Sequence, residues 1–106
     1  MALDSDGYPL QESLDAIEQY DLFTKPLAGL LALLRETWWA ADWGYSIRRK
    51  TLHLSTGGWS GNEKTVQYLK RNYSFWRLCW EDHRVGGHYR FRLREFPGDK
   101  AATDAA

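Results

Sequence analysis

The sequence has little of several features that would assign its class directly. Cys79 is its single cysteine, so the chain forms no intramolecular disulfide and we expect a reducing compartment. Its 14 basic and 14 acidic side chains cancel, so no overall positive field draws it to nucleic acid or to an anionic membrane. The longest apolar run, Leu27 to Leu34, is far too short to cross a bilayer, and no N-terminal signal is visible. We therefore expect a soluble cytoplasmic protein with no membrane partner.

The length of 106 residues is enough for one hydrophobic core. We expect residues 1–8 to form a flexible lead, residues 9–96 a single domain and residues 97–106 a disordered tail. What the chain has in excess is aromatic residues, with six tryptophans and six tyrosines. Such a surplus occurs in small cores as well as at recognition surfaces, so it does not by itself indicate a site.

Two helices are predicted in the N-terminal part of the chain. Pro9 suits the first turn of a helix whose inner positions, Leu10, Leu14 and Ile17, recur at helical spacing. The outer side of this helix is acidic, which we interpret as a solvated face. Pro26 suits the start of a second, mostly apolar helix that ends near Trp38.

The period then changes to the alternation that is typical of strands. Tyr45 is expected to face Leu54, and Ile47 to face Leu52, across a basic turn at residues 48–51. A second hairpin is predicted to pair residues 74–82 with residues 88–94, through a loop of either two or four residues that ends at Gly87. The predicted fold class is therefore α+β: two N-terminal helices, then hairpin, helix and hairpin, with about four strands in one antiparallel sheet packed by helices.

The segment between the hairpins is the first candidate ligand-binding site, and we call residues 57–61 the Gly-Trp loop. Ser60 and Glu63 have the spacing of a capping box, which predicts Ser60 as the N-cap of the intervening helix. One interpretation is that glycines and free N–H groups at a helix start bind an anion such as phosphate. The other is a connector whose tryptophan fills the core, since the segment matches neither the phosphate loop that ends in Gly-Lys-Ser/Thr nor the dinucleotide-binding fingerprint. The candidate residues are Gly57, Gly58, Trp59, Ser60 and Gly61.

The second candidate ligand-binding site is a face of the second hairpin. Strand alternation predicts that its arginines project together beside Glu81, opposite the aromatic residues. Arginine presents a planar fork to phosphate or carboxylate, so this face is either an anion site or an ordinary solvated surface. The arginines concerned are Arg77, Arg90, Arg92 and Arg94.

No metal site, cofactor or catalytic set is predicted. Cys79, His83 and His88 fall short of the four ligands of a structural zinc site. Cys79 with a histidine is conceivable as a nucleophile, but a lone cysteine between tryptophans is more often buried and inert. Whether the protein is an enzyme stays open, with a non-enzymatic role favoured.

Three motifs carry a resemblance to a family. Leu54-Ser-Thr-Gly-Gly-Trp-Ser-Gly-Asn-Glu63, the Phe75-Trp76…Cys79-Trp80 segment and Gly86-Gly-His-Tyr-Arg-Phe-Arg92 together resemble a group of small uncharacterised proteins encoded by bacteriophages and prophages. The resemblance covers residues 43–93. It implies a phage gene product that works in the bacterial host cytoplasm or in virion assembly, and it implies no catalytic residue.

The expected function is that of a non-enzymatic phage accessory protein. It would bind a bacterial or phage partner, either a protein or a phosphate-bearing small molecule, through the Gly-Trp loop and the arginine face. Nucleic-acid binding through the same face is the alternative, and a small enzyme that uses Cys79 with a histidine is the third. A homo-oligomer is also open.

Overall fold

The computed structural model describes residues 2–100. The helices are α1 (Gln11–Gln19), α2 (Leu27–Thr37), α3 (Ala41–Gly44), α4 (Ser60–Arg71) and α5 (Tyr73–Cys79). The strands are β1 (Tyr45–Arg48), β2 (Thr51–Ser55), β3 (Trp80–Arg84) and β4 (His88–Arg92). In this part of the chain, no helix is long and apolar enough to cross a membrane.

The four strands form one antiparallel sheet in the order β1-β2-β4-β3, which confirms the predicted α+β class. The first hairpin has the predicted register, with Tyr45 opposite Leu54 and Ile47 opposite Leu52. Its turn is Arg49-Lys50, whose φ angles of 51° and 63° are both positive. Two consecutive positive φ values are what the tightest hairpin turn requires.

The core lies between the helices and one face of the sheet. Leu30 and Leu34 of α2, Leu52 of β2, Leu69 of α4 and Phe91 of β4 are each 0% exposed. The predicted inner positions Leu14 and Ile17 of α1 are also 0% exposed. The helices cover this face of the sheet, whereas the opposite face is not part of the core.

The predicted strand over residues 74–82 is wrong in its first half, which forms α5. The Asn72 side chain accepts a hydrogen bond from the backbone N–H of Phe75 at 3.3 Å, which is the geometry of an N-cap. Trp76 and Trp80 therefore stand four residues apart on one side of a helix end, with ring centroids 6.3 Å apart. An aromatic run this short fits a strand or a helix, and the cap decides for the helix.

The second hairpin also differs from both predicted loop lengths. Arg84 pairs with His88, so the loop has three residues, 85–87, and Asp82 pairs with Arg90. A bulge at Glu81 then shifts the register, so that Trp80 pairs with Phe91. The bulge brings Trp80 to the core face and leaves Asp82 on the other face.

The predicted capping box at residues 60–63 does not form. Trp59 is the N-cap of α4 and no side chain caps the helix. The Ser60 hydroxyl instead donates to the hydroxyl oxygen of Tyr8 at 3.2 Å. A contact with the N-terminal segment therefore replaces the local one.

Both ends of the described chain make contacts with the domain. Leu3 bridges to Pro9, and the Asp4 carboxylate accepts the backbone N–H groups of Asp6 and Tyr8. At the other end, Gly98 donates its N–H to the carbonyl of Leu22 at 2.8 Å. Residues 101–106 of the predicted disordered tail lie outside the described residues.

Candidate functional site

The face of the sheet turned away from the helices carries an unusual density of basic side chains, and we call it the outer sheet face. Alternation places Leu52, Leu54 and Phe91 in the core, so their strand neighbours project outward. Several of the outward residues line one shallow cavity of about 450 Å³. The residues of the outer sheet face are Ser46, Arg48, Thr51, His53, Ser55, Asp82, Arg84, His88, Arg90 and Arg92.

The structure changes the membership of the predicted arginine face. Arg90 and Arg92 lie on the outer sheet face as expected, but Arg77 is on α5, where it lines a different cavity with Tyr73 and Leu78. Arg94 follows the end of β4, with its backbone beside Cys79. Arg77 departs because residues 73–79 are helical. Arg94 departs because β4 ends at Arg92.

Arg48 and Arg84 also lie on the outer sheet face, although neither was predicted there. Arg48 reaches it because Arg48 pairs with Thr51, which in turn pairs with Arg92. Arg84 reaches it because it pairs with His88. The signal for Arg48 was the basic turn of the first hairpin, whose position beside the second hairpin depends on strand order.

An ion pair organises the centre of this face. Arg90 Nε donates to both carboxylate oxygens of Asp82, each at 3.0 Å, and its Nη2 also contacts Asp82 Oδ2. Arg84 Nε lies 4.0 Å from the same carboxylate. The hydrogen bonds from Arg90 lower the pKa of Asp82, and the charges of Arg90 and Arg84 add to this effect. The paired Arg90 guanidinium is thereby held in one orientation.

The pKa of His53 is sensitive to the charges on this face. It is the cross-strand partner of both Ser46 and Arg90. Burial lowers the pKa of His53, the charges of Arg48 and Arg90 lower it further, and Asp82 and Glu81 act in the opposite direction. The positive charges therefore outweigh the carboxylates at the imidazole. Nearby, His88 Nδ1 lies 2.7 Å from Ser55 Oγ.

Trp43 borders the cavity and is the large aromatic residue most open to solvent there, with 67% of its surface exposed. It belongs to the short helix α3, which was not predicted. A Cβ at Gly57 would lie 3.0 Å from the Trp43 ring, so the glycine allows the ring to lie against the loop. Gly57 does not line the cavity itself, but its lack of a side chain leaves room for the Trp43 ring that does.

The rest of the Gly-Trp loop is arranged as a connector. Trp59 packs between Tyr8 and Trp39, with both ring centroids 4.9 Å away, and its Nε1 donates to the carbonyl of Gly7 at 3.2 Å. A Cβ at Gly61 would lie 2.7 Å from Trp59 Nε1, so this glycine makes room for the indole. This geometry favours the connector interpretation over an anion loop, but Trp59 is half-buried and joins α4 to the N-terminal segment instead of filling the core.

Cys79 is placed unfavourably for nucleophilic chemistry. It ends α5, is 1% exposed, and its burial raises its pKa to about 11. The thiol is therefore protonated at neutral pH, and the thiolate is the reactive form. Among residues 2–100, no three histidine, cysteine or acidic side chains come together to hold a metal ion.

Comparisons with protein-family models, with curated proteins and with solved structures found no match to this chain. The chemistry of the outer sheet face is therefore the basis for a functional assignment. Planar cationic groups, imidazoles and serine hydroxyls on an open surface are all donors to oxyanions. The arrangement is suited to binding an anion.

Proposed function

We propose that this protein is a non-enzymatic, phage-encoded accessory module that binds a phosphate-bearing ligand on its outer sheet face. The observation that carries the proposal is the convergence of Arg48, Arg84, Arg90 and Arg92 on one open face. The bacterial host cytoplasm is the setting that the resemblance to phage proteins implies. The Gly-Trp loop supports the site indirectly, because Gly57 lies under Trp43.

The arginines have different parts in this proposal. Within residues 2–100, Arg48 and Arg92 make no ion pair, so their guanidinium groups are available to an incoming anion. Arg90 is held by Asp82 and supplies positive charge at a fixed position. Four arginines against Asp82 and the neighbouring Glu81 leave the face positive, although the whole chain is neutral.

The size of the cavity favours a small ligand. About 450 Å³ lies within the range of small-molecule sites. A phosphate bound by two arginine forks gains charge-assisted hydrogen bonds, each roughly 1.5–3 kcal/mol. A compact ligand with one or two phosphate groups uses these contacts fully.

Nucleic-acid binding is the second candidate, and the exposure of Trp43 beside the arginines is the observation that favours it. A base stacked on an aromatic side chain next to a basic groove is how single strands are commonly bound. We rank nucleic-acid binding below the binding of a small ligand, because the whole chain has no net charge and, among residues 2–100, Trp43 is the one exposed tryptophan that lines this cavity. Its signature is an affinity that falls steeply with salt and rises with strand length.

The test is a titration of ¹⁵N-labelled protein with inorganic pyrophosphate at constant ionic strength. We expect amide shifts confined to the four strands β1, β2, β3 and β4. The double variant Arg48→Ala/Arg92→Ala should bind at least about tenfold more weakly, because one charge-assisted bond of about 1.4 kcal/mol corresponds to tenfold.

Arg77→Ala is the matched control, since it removes an exposed arginine from α5 rather than from the sheet. It should bind pyrophosphate as the parent does. Equal binding by the double variant and the parent contradicts the proposal. A ten-nucleotide single strand that binds far more tightly than pyrophosphate supports the second candidate instead.

A further inference from the structure

A second cavity lies on the other side of the sheet, between α4 and the hairpin of β3 and β4. Its volume is about 540 Å³, also within the range of ligand sites. Val66 and Tyr89 contribute to its lining, and the loop glycines Gly58, Gly86 and Gly87 leave one end open. We call it the helix–hairpin groove. None of the arginines of the outer sheet face belongs to it.

One wall of the groove has opposite charges at its two ends. Glu63, Gln67 and Lys70 line it from successive turns of α4. Seven residues of helix rise about 10 Å, so the backbone positions of Glu63 and Lys70 lie about that far apart along α4. Between them the Gln67 amide offers both a donor and an acceptor.

The opposite wall is aromatic. The rings of His83 and Tyr89 stack with centroids 4.0 Å apart and an angle of 7°. At the Lys70 end the groove continues into a smaller cavity of about 300 Å³, bordered by Trp76 and Trp80. Trp80 is 45% exposed, so this end offers apolar surface to a ligand.

Glu63 and Lys70 lie at different positions along the α4 wall of the groove. Lys70 Nζ lies 5.4 Å from the centroid of the Trp76 ring, at the tryptophan end. Burial raises the pKa of Tyr89, and the charge of Glu63 raises it further. Tyr89 borders both the groove and the smaller cavity, with its ring centroid 6.2 Å from that of Trp76, so the order of the two charges follows from their positions on α4.

We propose that the helix–hairpin groove binds a free, zwitterionic peptide of three residues. The peptide amino group lies at Glu63, its terminal carboxylate lies at Lys70, and an apolar C-terminal side chain packs against Trp80. Three extended residues span about 10 Å, which is comparable to the distance between Glu63 and Lys70 along α4. Gln67 is placed to bond the peptide backbone between them.

Other ligand classes fit less well. A simple anion meets the Glu63 carboxylate, and a simple cation meets the Lys70 ammonium. A nucleobase can stack on the exposed part of Trp80, but a base has no opposite charges at its two ends to pair with Glu63 and Lys70. A dipolar ligand with an apolar end satisfies the charges and the indoles together.

The experiment compares three probes by isothermal titration calorimetry at low salt: Ala-Ala-Phe, its N-acetyl form and its C-terminal amide. We expect each blocked form to bind about three- to fivefold more weakly, the upper part of the range for an exposed ion pair. In Glu63→Gln the N-acetyl penalty should disappear while the amide penalty remains. In Lys70→Gln the reverse should hold.

Lys64→Gln is the matched control, because Lys64 is exposed on α4 and does not line the groove. It should preserve both penalties. The proposal is overturned if Ala-Ala-Phe does not bind, if blocked and free peptides bind equally, or if either variant weakens all three probes alike. The Arg48→Ala/Arg92→Ala variant should keep peptide binding, so this result and that of the outer sheet face are independent.

Discussion

Arg90 and Asp82 lie opposite each other on β4 and β3, and Arg90 Nε is 3.0 Å from both carboxylate oxygens of Asp82. This pairing exists because Glu81 is bulged out of the register between Trp80 and Asp82. Without the bulge, alternation would put Trp80 and Asp82 on the same face. The extra residue in β3 thus allows Trp80 to lie on the core face while Asp82 pairs with Arg90 on the outer sheet face.

The first prediction concerns the pH dependence of this pair. The hydrogen bonds from Arg90 hold the pKa of Asp82 below its ordinary value, so the contribution of Asp82 to stability is present above its unfolded pKa of about 4. That contribution is lost as the pH falls through the lower folded pKa. We expect the free energy of unfolding of Asp82→Asn to lie below that of the parent at pH 7, with the gap closing below about pH 4. Urea denaturation at pH 7, 5, 4 and 3 measures the gap, and a constant gap contradicts the prediction.

The second prediction concerns His53 and follows from the proposed function. Its folded pKa lies below its ordinary value because of burial, Arg48 and Arg90, so protonation of His53 below about pH 6.5 opposes folding. A bound phosphate offsets the two positive charges and should raise the pKa of His53. By linkage, protonation of His53 should then strengthen the binding of pyrophosphate, compared at equal ligand charge.

An NMR titration of the His53 ring, with and without pyrophosphate, measures this shift. The ring signals of His83 provide the internal control, because His83 stacks on Tyr89 in the helix–hairpin groove. An unchanged pKa of His53 in the presence of saturating pyrophosphate places the anion away from the outer sheet face.

Much of the fold could be predicted because hydrophobic period and turn chemistry are local signals. Tyr45, Ile47, Leu52 and Leu54 have the predicted register, since alternation and a two-residue turn suffice to determine it. The inner positions of α1 were likewise visible in their helical spacing. The fold class follows from these elements together.

The candidate site was less predictable because it depends on contacts between segments. The helix at residues 73–79 had a signal, since asparagine is a favoured N-cap and Asn72 precedes it, but the alternation of the residues that follow predicted a strand. The bulge at Glu81 could not be predicted from the alternation of apolar and polar residues in β3. Arg48 of β1 and Arg92 of β4 lie on the same face near each other because both strands pair with β2. This strand order is not determined by the sequence.

The third prediction tests Asn72 as the joint between three helices. It is 4% exposed; its Nδ2 donates to the carbonyls of Ile17 at 3.0 Å and Tyr20 at 3.1 Å, while its Oδ1 caps α5. We expect Asn72→Ala to lower the free energy of unfolding by about 2–4 kcal/mol, from a lost cap and buried carbonyls left unpaired.

Asn72→Asp separates the two contributions. The carboxylate retains the acceptor for the Phe75 N–H but has no donor for Ile17 and Tyr20. Both variants should be measured by urea denaturation at pH 7. A loss below about 0.5 kcal/mol for Asn72→Ala, the size expected of an ordinary surface change, contradicts the assigned role.

The fourth prediction compares two glycines that share a backbone conformation but differ in their surroundings. Gly58 and Gly87 have φ angles of +74° and +79°. A Cβ at Gly58 meets nothing within 4 Å, whereas a Cβ at Gly87 would lie 2.1 Å from Thr56 Oγ1. Gly58→Ala should therefore cost only the backbone strain of about 1–2 kcal/mol, while Gly87→Ala should cost more than this.

A double-mutant cycle identifies the source of the extra cost. Thr56→Ala removes the hydroxyl that the new methyl group would strike, so it should recover part of the loss in Gly87→Ala and none in Gly58→Ala. Thr56 Oγ1 also accepts the N–H of Gly58, so Thr56→Ala alone should be mildly destabilising. Equal losses for the two glycine variants, or additive effects at Thr56 and Gly87, contradict the close packing of the hairpin loop on the end of β2. Because Gly87 and Thr56 both line the helix–hairpin groove, the cycle also tests how closely these two residues pack in the wall of that groove.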